Sequence, residues 1–342
     1  MSHPVAGISR FRLTLRFMVA VLWLFAAFRL AHRGALGLVS EPLTPLVEQA
    51  LLVFLLVFGY ASMGMVFDRQ LHPFSEQGLP RRPGCGRELG LGVAVGWTLA
   101  VVCVLPMLII GGIAIVLNLG PSAWTWLVAD VAFFALAALA EEVAFRGYGF
   151  QRLAQAMGPA GAVVGYAAIY GFIEARIPGS NRISVAIAIV FSVMLSTAYL
   201  RTRALWVSWG LNFSWKASRA LIFGLAVSGV SSHSPVVEGN PMGPFWLTGG
   251  GFGLDGSWIT FFVLLVSLIV VYRLTSDLDY RYNVPVIVPG GIPVDLDAAT
   301  RKLHDSAMGV PEAVPSLVQI QPVSAPQINS ELDSANNPRS AG

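Results

Sequence analysis

Eight long apolar blocks, separated by short stretches rich in Arg, Gly and Pro, limit this 342-residue chain more than any other feature. Each is of a length that can cross roughly 30 Å of hydrocarbon, and one water-soluble core has no use for eight of them. The blocks fall near 13–31, 46–67, 89–118, 122–141, 157–174, 183–200, 204–226 and 257–274. Only 12% of residues are charged and 55% are hydrophobic, against about 25% charged in ordinary soluble proteins. These values exclude a soluble enzyme, a disulfide scaffold and a disordered regulator. The expected architecture is all-α: a polytopic membrane bundle of about eight transmembrane helices.

The first block has a short uncharged interior, because Arg16 and Arg29 bracket only 12 residues. Both side chains are expected to snorkel to the interfaces on their apolar stems. A cleaved signal peptide is the competing reading, although no small-x-small cleavage site follows. Twenty of the 22 basic residues are Arg, and they lie mostly between blocks, where they report orientation. An even number of crossings with both termini cytoplasmic puts Arg10, Arg12, Arg16, Arg69, Arg81, Arg82, Arg87, Arg146, Arg152, Arg201, Arg203, Arg273 and Arg281 inside, and Arg29, Arg33, Arg176 and Arg182 outside. The stretch 227–256 holds no Lys or Arg and is expected outside. The organisation is then a two-helix segment and loop over 1–88, a membrane core over 89–275, and a flexible cytoplasmic tail over 276–342, with a short helix around 296–308. No basic stripe with interleaved aromatics points to nucleic acid. Cys85 and Cys103 give neither a disulfide framework nor a zinc site, so no metal or other cofactor is expected.

Ionisable residues inside apolar blocks carry the functional information, because each is costly there unless paired. They are Asp130, Glu141, Glu142, Arg146, Glu174, Lys216 and Arg219, with Asn212 as a polar companion. Glu142 and Arg146 are four apart and share a helix face, so they can pair. Glu141 points about 100° away and is left over by that pair. The plain alternative is that Glu141-Glu142 marks where the helix leaves the membrane. Asp130 is expected to bond a neighbouring helix. Trp206, Trp209 and Trp215 are read as packing or interfacial side chains, and Gly158, Gly161 and Gly165 as a small-residue seam for close helix approach.

The segment Glu141-Glu142-Val-Ala-Phe-Arg146-Gly147, followed by Phe150-Gln-Arg-Leu153, resembles the first motif of the CPBP family, the type II CAAX prenyl (Abi) intramembrane endopeptidases. Leu205-Trp-Val-Ser-Trp-Gly-Leu-Asn-Phe-Ser-Trp-Lys216 looks like the family's Gly-Leu-His-x-x-x-Asn helix. The Gly-rich run Leu247–Ser257 resembles a loop common among bacterial members. The resemblance covers roughly 95–275 and implies a CPBP-like core in a bacterial inner membrane. It also implies a catalytic Glu at Glu141 within the retained set Glu141, Glu142 and Arg146.

The other family positions differ. Glu174 stands where a His is expected, Asn212 where a second His is expected, and Lys216 where Asn is expected. The five His of the chain are His3, His32, His72, His233 and His304, none inside an apolar block. Adding a carboxylate and an ammonium to one bundle suggests that they offset each other. Lys216 is therefore expected to bridge to Glu174 or Glu141. Three functions remain open: a pseudoprotease that binds a transmembrane or prenylated partner, an active endopeptidase using Glu141 and Glu174, and a transporter or channel. Membrane lipids are expected partners in each case.

Overall fold

The computed structural model describes residues 9–229, 236–276 and 278. The tail from 279, with the expected helix near 296–308, lies outside them, as do His3, His233 and His304. In chain order the elements are α1 (Arg10–Leu38), α2 (Thr44–Asp68), the short α3 (Pro73–Glu76), α4 (Cys85–Ile109) and β1 (Ile113–Leu117). There follow α5 (Pro121–Arg146), α6 (Tyr148–Met157), α7 (Pro159–Glu174), α8 (Arg182–Thr202) and α9 (Trp206–Ala217), which continues into a π turn over Ser218–Ile222. β2 (Val237–Pro241), α10 (Phe245–Thr248) and α11 (Trp258–Leu274) complete the set. This is an all-α integral membrane bundle with one two-stranded antiparallel ribbon, β1 against β2. α1, α2, α4, α5 and α8 are each long and apolar enough to cross a bilayer; α11 is a shorter apolar helix.

Large apolar side chains point outward and small ones inward, the reverse of a soluble protein. Leu22, Phe25, Phe54, Val102, Val128 and Val266 are exposed, whereas Ala20, Ala27, Ala31 and Ala35 of α1 are buried. Lipid solvates Leu and Phe as well as a protein core does, so helices gain by bringing small residues and backbones together. One core gathers α1, α2, α5, α6 and α7 around Leu56, Tyr60, Val143 and Phe150. A second gathers α4, α8, α9 and α11 around Met107, Phe191, Leu195 and Trp215.

The helices α4 and α9 approach each other backbone to backbone. A Cβ on Gly92 would overlap the Val207 carbonyl, one on Gly96 the Leu211 carbonyl, and one on Gly210 the Leu89 carbonyl. The seam expected from Gly158, Gly161 and Gly165 is absent. Gly161 meets only Met157, Gly165 has ordinary contact with Leu153, and Gly158 (φ 87°) serves the turn from α6 into α7. Gly92→Val is expected to cost roughly 1–3 kcal/mol by forcing the two helices apart. Gly90→Val, with nothing within 4 Å of its Cβ, should be close to neutral. Thermal unfolding in detergent compares the two.

Two expected spans end early. The block 89–118 stops being helical at Ile109, because Gly111 takes φ 70° and the β-branched run Ile113–Leu117 pairs with Val237–Pro241. The block 204–226 narrows to α9 and the π turn. Conversely, α5 runs five residues past its expected end, so Glu141 and Glu142 lie inside the helix. Arg16 does not simply reach for an interface. With Arg152 it shares Asp68 Oδ1, at 2.5 and 2.8 Å, while the Tyr148 hydroxyl donates to Oδ2 at 2.7 Å. One carboxylate thus ties α1, α2 and α6 together.

Candidate functional site

Of the six family-motif positions, five (Glu141, Glu142, Arg146, Asn212 and Lys216) meet between α5 and α9. Helical geometry brings this about: Glu141 and Glu142 are neighbours on α5, and Asn212 and Lys216 are one turn apart on α9. Gly147 closes α5 where a Cβ would overlap the Val143 carbonyl, letting α6 fold across the end of the bundle.

Glu142 and Arg146 are both fully buried, and Arg146 Nη1 donates to Glu142 Oε1 at 3.4 Å. Arg146 Nη2 also donates to the Ser192 carbonyl of α8 at 3.1 Å. A carboxylate merely marking a membrane exit would reach water; Glu142 does not. Glu141 faces the other way, as the 100° step requires. Lys216 Nζ forms an ion pair with its Oε1. Asn212 Nδ2 donates to Glu141 Oε2 and to Glu142 Oε1, both at 3.0 Å, and the Tyr170 hydroxyl donates to Glu141 Oε2 at 3.3 Å. Each carboxylate is thus held by one cation and by the shared amide. Of the two bridges expected for Lys216, the one to Glu141 is formed.

Glu174 stands apart. It is buried at the end of α7, and its carboxylate makes no hydrogen bond or ion pair within the described structure. It does border the same space: a cavity of about 690 Å³ bounded by α1, α2, α5, α7, α8 and α9. Phe25, Leu56, Phe133, Ile169 and Phe191 give its walls an apolar character, and Glu141, Glu174 and Lys216 are polar points on them.

Arg219 and Asp255 form a second buried pair on the cavity wall. Arg219 follows Lys216 into the π turn, where Nη1 donates to Asp255 Oδ1 at 2.6 Å and Nε to the Trp215 carbonyl at 3.1 Å. The guanidinium lies 4.1 Å from the Trp215 ring centroid. Ser228 donates its N–H and hydroxyl to Asp255 Oδ2 at 3.1 and 3.2 Å, which pins the Gly-rich loop over the bundle end. Trp206 and Trp209 are positioned by indole N–H bonds to the Pro80 and Ala135 carbonyls. Asp130 also borders the cavity and is engaged within the bundle.

Sequence reasoning missed Asp255 and Asp68 as partners. An Asp in a Gly-rich loop and an Asp at a helix end read as solvated. The available signal was the surplus of buried Arg, namely Arg219, Arg16 and Arg152, that needed acids. Of the described imidazoles, His32 contacts Glu48 at 2.9 Å and His72 precedes α3; neither meets the Glu141–Lys216 cluster. Among the described residues no group of three or more His, Cys, Asp or Glu is placed to hold a metal ion.

The family model for type II CAAX prenyl endopeptidase Rce1-like proteins matches residues 122–218, from the first turn of α5 into the π turn. All six motif positions fall within it. No curated protein and no solved structure matches the chain.

Proposed function

From the match of residues 122–218 to the Rce1-like model of type II CAAX prenyl endopeptidases, we propose that this membrane protein binds rather than cleaves. The observation that carries the reading is the Lys216 ammonium on Glu141. A carboxylate that activates water must be free to accept its proton. Here one oxygen is engaged by Lys216 and the other by Asn212 and Tyr170. The positions where the family resemblance calls for two His and an Asn hold Glu174, Asn212 and Lys216, and two of these three complete a closed polar cluster. The cavity beside it remains, with walls suited to an apolar guest. Its proposed occupant is a transmembrane segment or a prenyl-bearing peptide entering from the surrounding lipid.

The family match favours a second reading, residual endopeptidase activity in which Glu141 and Glu174 share a water. The neutralisation of Glu141 by Lys216 weighs against it, since such a pair works only if both carboxylates reach the same water. We also place both termini on the cytoplasmic side of a bacterial inner membrane, on the bias of Arg toward one set of loops.

Purified full-length protein incubated with a library of prenylated and transmembrane peptides tests the proposal. Neither the wild type nor Glu141→Ala is expected to cleave any member. Cleavage by the wild type that disappears in Glu141→Ala overturns the binding reading and restores the hydrolytic one.

A further inference from the structure

Charge on the cavity wall does not balance. Lys216 is taken by Glu141, and Arg219 by Asp255. Glu174 remains: 7% exposed, on the wall, with Oε1 sealed from solvent and accepting no hydrogen bond. Among the described residues it is the one acidic cavity side chain with neither a hydrogen bond nor an ion pair. An ionised carboxylate in a membrane bundle is costly unless a cation or a set of donors meets it. The fold sets no donor and no ion pair on it: Lys216 and Arg219 act on it only through space, each being paired with another carboxylate.

We propose that the cavity binds an amphiphile with an apolar tail and a protonated primary amine head, the ammonium seated on Glu174. This rests on the reading of the cavity as a binding chamber and names the chemistry at one end of it. The volume, about 690 Å³, lies within the roughly 300–1,000 Å³ range of small-molecule sites. Its apolar walls, with Phe133 and Ile169 nearby on α5 and α7, receive the tail. The head is fixed by what Glu174 lacks. A quaternary ammonium supplies charge but no N–H for the carboxylate, and an alcohol supplies a donor but no charge. A primary ammonium supplies both, with three donors on one nitrogen. A carboxylate head meets repulsion.

The test uses the full chain in lipid nanodiscs with two photoreactive probes sharing one diazirine-bearing dodecyl tail, one an amine and the other a carboxylic acid. Crosslinks are mapped by mass spectrometry. The amine is expected to label cavity residues such as Phe133, Ile169 and Phe191 at least about tenfold more than the acid. Glu174→Gln, which keeps the shape and removes the charge, is expected to erase that preference. Its thermal unfolding in the same discs checks that the bundle is intact. Equal labelling by the two probes, or an amine preference that survives in Glu174→Gln, overturns the proposal while leaving the chamber in place. Labelling of the cavity by neither probe removes the chamber and the proposal together. Peptide cleavage dependent on Glu141 defeats only the non-hydrolytic reading.

Discussion

Arg146→Met is expected to destabilise the folded bundle by about 3–5 kcal/mol, the range for removing one partner of a buried ion pair. Glu142 is fully buried, and without Arg146 only the Asn212 amide contacts its carboxylate. The variant also gives up the bond from Arg146 Nη2 to the Ser192 carbonyl, which joins α5 to α8. The double variant Glu142→Gln/Arg146→Met should recover most of the loss, because it removes the stranded charge along with its counterion. Chemical unfolding of the three proteins in one detergent measures this. A cost below about 1 kcal/mol for the single variant contradicts a buried pair, since that is the size expected of an exposed one.

Lys216→Met should cost about 3 kcal/mol, the low end of the same range, because Glu141 keeps the hydrogen bonds from Asn212 and Tyr170 when the ammonium is removed. Glu141→Gln/Lys216→Met is expected to be markedly more stable than Lys216→Met alone. A double-mutant cycle then isolates the coupling between the two side chains. If the cycle closes without coupling, the ion pair contributes nothing, and the strongest argument for a silenced centre fails with it. The same four proteins serve for the peptide assay. Release of Glu141 by Lys216→Met, accompanied by new cleavage, would show the ammonium to be what holds activity off.

Pairing among the charged residues was legible because helical arithmetic fixes which side chains share a face. Four residues between Glu142 and Arg146 made that pair readable, and the offset of Glu141 left it for Lys216. Backbone details were less legible because hydropathy does not distinguish an apolar strand from the end of an apolar helix. Ile113–Leu117 is as apolar as the helix before it, and only Gly111-Gly112 marks the break. The tight seam fell on Gly92, Gly96 and Gly210 rather than on the more regular run Gly158, Gly161 and Gly165. Glycine spacing states where close approach is possible; which helix becomes the neighbour is decided by the tertiary arrangement. The Asp68 clamp joins groups far apart in sequence, and no local pattern announces it.

The first two helices supply part of the chamber lining, through Leu24, Phe28, Leu52 and Tyr60, although they lie before the matched segment 122–218. A shorter homologue without them would present an open furrow to the bilayer. Selection of the proposed guest would then fall jointly to the family-matched segment and to a separate hairpin of helices. The hairpin can diverge while the scaffold stays put, so two proteins with the same acidic pair need not admit the same molecule.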